Sequence, residues 1–242
     1  MSPELEQGLD GGPREWRFAT PEAQASALAA AVSDALEDAL RARAQASLVV
    51  SGGRTPAALF AKLAMTPLDW ARVHITLADE RWVDPTSEAS NEHFVRTTLL
   101  RDAARAAQFT GLKTPALDAA GGVAEAWERC ASMPQPFDQV LLGMGDNGHF
   151  ASLFPHAAGL AEALDEHAEA ACVAITPLDA PNSRISLNLA ALLRSRSIRV
   201  QICGADKWEV YQRALEPGSF AELPIRALLR QRQVPVDVYW SP

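Results

Sequence analysis

Cysteine is scarce in this chain, and its spacing suggests neither a metal site nor a disulfide framework. The three cysteines, Cys130, Cys172 and Cys203, lie far apart, and no CxxC pair or HExxH segment occurs. A zinc site is therefore not expected. An odd and sparse set of cysteines also argues against an oxidising compartment, so the cytoplasm is the expected location.

The chain also lacks long apolar runs and an excess of basic residues. No segment approaches the roughly 20 apolar residues that span a bilayer. The polar residues 1–13 have no apolar core and do not resemble a secretory signal, so we expect a disordered lead-in there. The formal net charge is −8, and nucleic-acid backbones require a basic face. We therefore expect neither a membrane nor a nucleic acid as a partner, and an anionic substrate would need a local basic pocket.

The sequence motifs of covalent hydrolases and dinucleotide-binding proteins are missing as well. No GxSxG elbow is present, so attack by an activated water suits the chain better than a covalent nucleophile. Residues 143–148 match GxGxxG after a strand, but a dinucleotide site needs a long helix to begin at once. Pro155 comes too soon for that helix, and Asp165 and Glu166 precede the next strand instead of ending it. We therefore reject a nicotinamide site.

Segments typical of strands alternate with segments typical of helices from residue 14 onward. Short apolar runs at 47–50 and 137–142 indicate buried strands. Thr20 and Pro21 mark the start of a helix, whose apolar residues recur every four positions at Leu28, Val32, Leu36 and Leu40. This alternation predicts an α/β fold with a mainly parallel sheet. No internal repeat or linker divides residues 14–242, so we expect one domain there.

A glycine-rich turn after the strand at 137–142 carries a histidine. Gly143, Gly145 and Gly148 precede His149, and glycine lets a chain turn sharply or approach a ligand closely. Ligands of open α/β sheets bind beyond the carboxyl ends of strands, and histidine can transfer protons near neutral pH. A lone histidine is usually structural, but this position makes His149 a candidate catalytic base.

The segment Ser51-Gly52-Gly53-Arg54-Thr55-Pro56 follows the strand at 47–50 and precedes a helix. One interpretation is a tight turn in which Thr55 caps the helix and Pro56 begins it. The other adds a phosphate bound by backbone N–H groups at the helix N-terminus. The two are compatible, and a cap alone would not need two glycines and two hydroxyls. The GK[ST] ending of a nucleotide P-loop is absent.

Charged residues stand at the ends of other predicted elements. Asp79, Glu80 and Arg81 follow a strand, and Lys207 stands at a helix start. In the simplest interpretation, Asp79 and Glu80 form a solvated acidic loop, and Arg81 belongs to a surface ion pair. Lys207 is then a surface lysine and Arg184 a charge at the edge of a strand. A cation at a helix N-terminus is mildly unfavourable unless an anion lies nearby, which slightly favours a ligand role for Lys207.

Taken together, these segments resemble the 6-phosphogluconolactonases of the glucosamine-6-phosphate isomerase/6-phosphogluconolactonase superfamily. The resemblance covers nearly the whole chain after the first dozen residues, and it is carried by 51–56, 79–83, Ser90-Asn91, 142–155 and 204–207. It implies one three-layer α/β domain of the sugar-phosphate isomerase/deaminase type, with a mostly parallel, Rossmann-like sheet flanked by helices and no cofactor.

The resemblance also implies an activity and a set of site residues. The reaction is hydrolysis of 6-phospho-D-glucono-1,5-lactone to 6-phospho-D-gluconate, the second step of the oxidative pentose phosphate pathway. We expect the protein to act as a monomer. The implied catalytic residues are His149, Asn147 and Asp79. The implied substrate-binding residues are Ser51, Gly52, Gly53, Arg54, Thr55, Arg81, Gly145, Arg184 and Lys207. His149 would activate water, Asp79 would orient His149 or a sugar hydroxyl, and N–H groups around Gly145 would stabilise the oxyanion.

Two positions depart from the family pattern. The family usually has serine where Arg54 stands, so this loop carries an extra cation. It usually has aspartate where Asn147 stands, and asparagine can hydrogen-bond but cannot raise the basicity of His149 by its charge. Two alternatives therefore stay open: a glucosamine-6-phosphate deaminase or isomerase, and a non-catalytic sugar-phosphate-binding protein. The Asn-Glu-Pro element that follows the histidine in the deaminases is absent here.

Overall fold

The computed structural model describes residues 4–7, 12–178 and 180–242. The strands in this part of the chain are β1 (Glu4–Gln7), β2 (Arg14–Arg17), β3 (Ala46–Val50), β4 (Val73–Leu77), β5 (Asp79–Arg81), β6 (Gln108–Thr110), β7 (Gln139–Gly143), β8 (Cys172–Ile175), β9 (Arg184–Leu187), β10 (Ile198–Cys203) and β11 (Val236–Ser241). The α-helices are α1 (Pro21–Ala42), α2 (Ala57–Ala64), α3 (Asn91–Thr98), α4 (Ala119–Ala131), α5 (Leu160–Ala163), α6 (Leu189–Leu193), α7 (Ala205–Leu215) and α8 (Ile225–Arg230). Short 3-10 helices cover Trp70–Arg72 and Asp102–Ala106.

The larger sheet is mostly parallel, as predicted, and its strand order reverses between β3 and β7. Across the described residues the order is β1-β2-β11-β10-β7-β3-β4-β6, and only β1 and β2 pair antiparallel. From β3 the chain extends the sheet through β4 and β6 on one side. It then returns to add β7, β10 and β11 on the other side. Ligands bind at such a reversal point, and both glycine-rich segments begin there.

A smaller antiparallel sheet, which the sequence did not predict, lies beside the carboxyl end of β4. Its order is β5-β9-β8, and Asp79 to Arg81 pair with Ser186 to Arg184. Ala78 joins the two sheets, because its N–H donates to the Val50 carbonyl and its carbonyl accepts from the Leu187 N–H, both at 2.8 Å. The segment at 79–81 is therefore part of a sheet and not a solvated loop.

The helices cover the larger sheet with apolar faces. The predicted stripe of α1 is buried at Leu28, Val32, Leu36 and Leu40, and each such side chain contributes about 1.5–3 kcal/mol when fully removed from water. The hydroxyl of Thr20 caps α1 by accepting from the Ala23 N–H at 3.2 Å, as predicted. The predicted cap at Thr55 is wrong, since α2 begins after Pro56 without a side-chain cap. Among the described residues, no helix combines the length and apolar character that a membrane crossing requires.

The predicted disordered lead-in over residues 1–13 lies partly outside the described residues. Residues 1–3 and 8–11 are not described, whereas residues 4–7 form β1 on the antiparallel edge of the larger sheet. Local composition did not reveal that strand, because edge pairing with β2 depends on a partner and not on an apolar run. The assignment of residues 14–242 to one domain stays a prediction.

Candidate active site

A cleft of about 410 Å³ lies at the carboxyl ends of β3, β4, β7 and β10. It is lined by eleven of the twelve predicted site residues: Ser51, Gly52, Gly53, Arg54, Thr55, Asp79, Arg81, Gly145, His149, Arg184 and Lys207. The twelfth, Asn147, contacts His149 from outside the cleft lining. A larger cavity of about 770 Å³ between α5, α8 and residues 218–221 contains none of them. Size alone would therefore select the wrong cavity.

The loop between β3 and α2 presents donors that have no protein partner. The backbone N–H groups of residues 52–55 make no hydrogen bond within the described part of the chain, and the buried hydroxyl of Ser51 has none either. Gly53 has a φ of +98°, a conformation that favours glycine. A Cβ on Gly52 would lie 2.0 Å from the side-chain oxygen of Asn91. The loop therefore needs both glycines, and its free N–H groups suit an anion.

The two acidic residues at the start of β5, Asp79 and Glu80, have different roles. Glu80 is buried and accepts from the N–H groups of Asn91 and Glu92 at 2.7 and 2.8 Å and from the Ser90 hydroxyl at 2.9 Å. It therefore stabilises the N-terminus of α3, where a carboxylate is favoured. Asp79 points to the cleft side instead, because successive strand residues face opposite sides.

Asp79 is buried, and its carboxylate is held by the protein. Its side chain accepts from the Ser152 hydroxyl at 2.5 Å and its backbone carbonyl from the Asn91 amide at 2.8 Å. Burial raises the pKa of the Asp79 carboxyl above its ordinary value, although the hydrogen bond from Ser152 opposes the shift. Asp79 does not hydrogen-bond His149, so of its two predicted roles the contact with a substrate hydroxyl fits the geometry.

Four cationic side chains line the cleft. Arg81 and Arg184 are register partners on β5 and β9, and each has a buried Nε atom without a hydrogen-bond partner in the described residues. Burial and the charge of Arg81 lower the pKa of Arg184. Lys207 donates to the Met144 carbonyl at 2.9 Å and lies 3.6 Å from the carboxylate of Asp146. Arg54, the extra cation of the loop, is exposed at the edge of the cleft.

His149 is fixed by contacts on two sides. Its Nδ1 lies 2.6 Å from the Asn147 side-chain oxygen, and its ring stacks on Phe154 with centroids 4.1 Å apart. Burial lowers the pKa of His149 to about 4, and the cations Lys207 and Arg184 act in the same direction. The imidazole is therefore neutral at pH 7 and available to accept a proton.

Gly145 is needed for the position of His149, in a way that differs from the predicted one. Its N–H donates to the His149 carbonyl at 2.9 Å, so this donor is already used and is not free for an oxyanion. A Cβ on Gly145 would lie 2.0 Å from Cε1 and 2.1 Å from Nδ1 of the His149 ring. Only glycine leaves room for the imidazole here. An oxyanion contact would have to come from other N–H groups around Gly145, and that part of the expectation stays a prediction.

The fold agrees with comparisons to known proteins. Residues 19–240 match the model of the family described as glucosamine-6-phosphate isomerases/6-phosphogluconolactonase. The chain belongs to this family. It is 41% identical over 225 residues to a 6-phosphogluconolactonase from Rhizobium meliloti, with 93% of this chain and 97% of the relative covered. A second 6-phosphogluconolactonase, from Pseudomonas aeruginosa, is 39% identical over 219 residues, with 90% and 91% covered.

Solved structures of the family share the same architecture. The structure of a 6-phosphogluconolactonase from Shewanella baltica matches with a TM-score of 0.91 and 47% identity, covering 94% of this chain and 97% of that one. A structure described as a monomeric glucosamine-6-phosphate deaminase of the NagB superfamily matches with a TM-score of 0.76 at 17% identity, covering 93% of this chain and 96% of that one. At that identity, the second match shows the shared fold alone.

Three side chains that the sequence did not single out contact residues of the cleft. Asn91 packs against Gly52 and lines the cleft, Phe154 stacks on His149, and Ser152 holds Asp79. All three lie inside segments that carry the family resemblance. Their individual roles depend on contacts between distant segments, which the local sequence does not contain.

Proposed function

We propose that this chain hydrolyses 6-phospho-D-glucono-1,5-lactone to 6-phospho-D-gluconate, acting as a cytoplasmic monomer. One observation carries the proposal. A single cleft contains backbone N–H groups without a partner among the described residues, cationic side chains, and a neutral histidine whose ring is held in place. Curated relatives that are about 40% identical over nearly their full length have the name 6-phosphogluconolactonase. The three cysteines are free thiols, in keeping with a reducing compartment.

In this proposal the substrate phosphate is bound by the loop at 52–55 together with Arg81, Arg184 and Lys207. Backbone N–H groups give geometric complementarity to the phosphate oxygens, and each charge-assisted contact contributes about 1.5–3 kcal/mol. The phosphate is at one end of the substrate and the lactone carbonyl at the other. Anchoring the phosphate therefore orients the carbonyl near His149 and lowers the entropic cost of the reaction.

The chemical step is addition of water to the lactone carbonyl, followed by ring opening. Nε2 of His149 takes a proton from water as the water oxygen bonds to C1 and the carbonyl oxygen becomes an oxyanion. The C1–O bond of the ring then breaks, the carbonyl re-forms, and the imidazolium returns the proton to the departing ring oxygen. Asn147 orients the ring, and Asp79 accepts a hydrogen bond from a sugar hydroxyl.

A lactone hydrolysis assay tests the proposal directly. Fresh lactone should disappear faster with the protein than in an enzyme-free control, which is required because lactones also hydrolyse spontaneously. Ammonia release from glucosamine 6-phosphate would indicate a deaminase instead. Binding of 6-phosphogluconate without lactone turnover would indicate a sugar-phosphate-binding protein.

Replacing Arg81 with alanine should mainly raise KM. We expect KM for the lactone to increase roughly 10- to 100-fold, since one charge-assisted contact to the phosphate is lost, while kcat changes little. Arg105→Ala, which removes an exposed arginine on the 3-10 helix at 102–106, is the matched control and should leave both constants unchanged. An unchanged KM in the Arg81 variant would remove this residue from the phosphate site.

A further inference from the structure

Asn147 contacts His149 twice through one atom. Its side-chain oxygen lies 3.3 Å from the His149 backbone nitrogen and 2.6 Å from Nδ1. A backbone N–H can only donate, so the amide atom that faces it is the oxygen. That oxygen can only accept, and Nδ1 must therefore carry the proton. The hydrogen-bond network thus leaves Nε2 as the nitrogen with a free lone pair.

The charges around this imidazole are unbalanced. Lys207 on α7, Arg184 on β9 and Arg81 on β5 all disfavour the imidazolium. Asp146 favours it, but that carboxylate is 88% exposed and is already paired with Lys207. Asp79, the other acid of the cleft, is engaged by Ser152. Asn147 contributes a hydrogen bond but no charge, so among the described residues no group in contact with the ring compensates the charge of the cations.

We propose that Asn147 fixes His149 as the Nδ1–H tautomer without lending it charge, and that a dianionic group bound among Arg81, Arg184 and Lys207 supplies the compensating charge. This inference rests on the proposed function, because it assigns the phosphate to that cluster. The substrate phosphate then has two tasks: it anchors the lactone, and it makes the imidazole a stronger base once the substrate is bound. General bases work best when their pKa lies near the operating pH.

The coupling predicts how the enzyme selects phosphorylated substrates. An unphosphorylated 1,5-lactone of the same sugar would lose both the anchor and the increase in basicity of His149. Its kcat should therefore be lower, and not only its affinity weaker. By thermodynamic linkage, protonation of His149 must strengthen dianion binding by the same factor by which the dianion favours protonation.

The test is an NMR titration of the His149 ring in the wild-type protein, with and without sulfate. Sulfate stays dianionic through the whole pH range, so its own ionisation does not interfere, and His149→Gln identifies the resonance among the five histidines. Without sulfate the ring should titrate near pH 4 as the Nδ1–H tautomer. Saturating sulfate should raise the midpoint by about one pH unit or more, a tenfold change in proton affinity, whereas chloride at equal ionic strength should not.

Several results would overturn the proposal. The first is an Nε2–H tautomer in the ¹⁵N chemical shifts, and the second is a midpoint near the ordinary 6.5 without sulfate. The third is an unchanged midpoint with both sulfate and 6-phosphogluconate at concentrations that saturate the cleft. Asn147→Asp adds a charge at the same position and should raise the midpoint without any anion. The titration does not depend on turnover, so the two proposals can fail separately. Lactone hydrolysis without a rise in the His149 midpoint would reject this inference alone. A rise in the midpoint without hydrolysis would reject the proposed function alone.

Discussion

The His149→Ala variant is expected to lose about 10²-fold or more in kcat while its KM for the phosphorylated lactone changes little. The cleft offers one neutral imidazole beside the anion-binding loop. The other titratable groups there are cations and two carboxylates, of which Asp79 is engaged by Ser152 and Asp146 lies 3.6 Å from Lys207. Removing the imidazole removes the proton acceptor and leaves the phosphate contacts in place. Loss of an interaction that is made only in the transition state lowers kcat and kcat/KM together. Steady-state kinetics on freshly prepared lactone, with the spontaneous rate subtracted, measure the effect.

His167→Ala is the matched control for this variant. The His167 side chain is 83% exposed and lies outside the cleft, so its loss should not alter kcat or KM. Binding of 6-phosphogluconate to His149→Ala should stay close to that of the wild-type protein, which would confirm that the cleft is still formed. Wild-type turnover by His149→Ala would end the proposal that this histidine activates water.

The Gly145→Ala variant should be nearly as impaired, although it adds only a methyl group. The new Cβ would lie 2.0 Å from the His149 ring, a separation that real side chains do not adopt, so the imidazole must move. Movement breaks the hydrogen bond to Asn147 or the stacking on Phe154, and a displacement of about 1 Å in an active site can cost 10²-fold in rate. We expect kcat to fall by about that factor, with a loss of the His149–Asn147 contact visible by NMR.

Gly143→Ala makes the same change two residues earlier, at the last residue of β7. No heavy atom lies within 4 Å of a Cβ placed on Gly143, so the ring keeps its position and the loss of activity should stay below about threefold. Thermal unfolding of both variants separates a local effect on His149 from a general loss of stability. Equal activity of the two variants would show that the Gly145 contact does not position the imidazole.

The parts of the site that the sequence predicted are those determined by neighbouring residues. A short apolar run followed by glycines is a local signal, and it located β3, β7 and the two loops that meet where the strand order reverses. The strand order itself was not needed, since the carboxyl ends of parallel strands share one edge of the sheet. The sequence alone therefore places His149 and residues 51–55 at one edge of the sheet.

The parts that the sequence did not predict depend on distant partners. The three-residue strand β5 is polar, and it is a strand because it pairs with β9 about one hundred positions later. The same holds for Ser152, whose hydroxyl reaches Asp79 across 73 positions. The Thr55 cap was a reasonable local prediction, but α2 has no side-chain cap and Thr55 lines the cleft, where a ligand can use its hydroxyl.

The pairing of β5 with β9 has an energetic consequence for the ligand-free protein. The ladder places Arg81 opposite Arg184, so backbone hydrogen bonds hold two like charges together, an arrangement that opposes strand pairing. An anion bound between the two guanidinium groups would replace their mutual repulsion with attraction of both to the anion. A phosphorylated sugar acid should therefore raise the melting temperature more than its unphosphorylated counterpart, and amide exchange should slow first along these two strands.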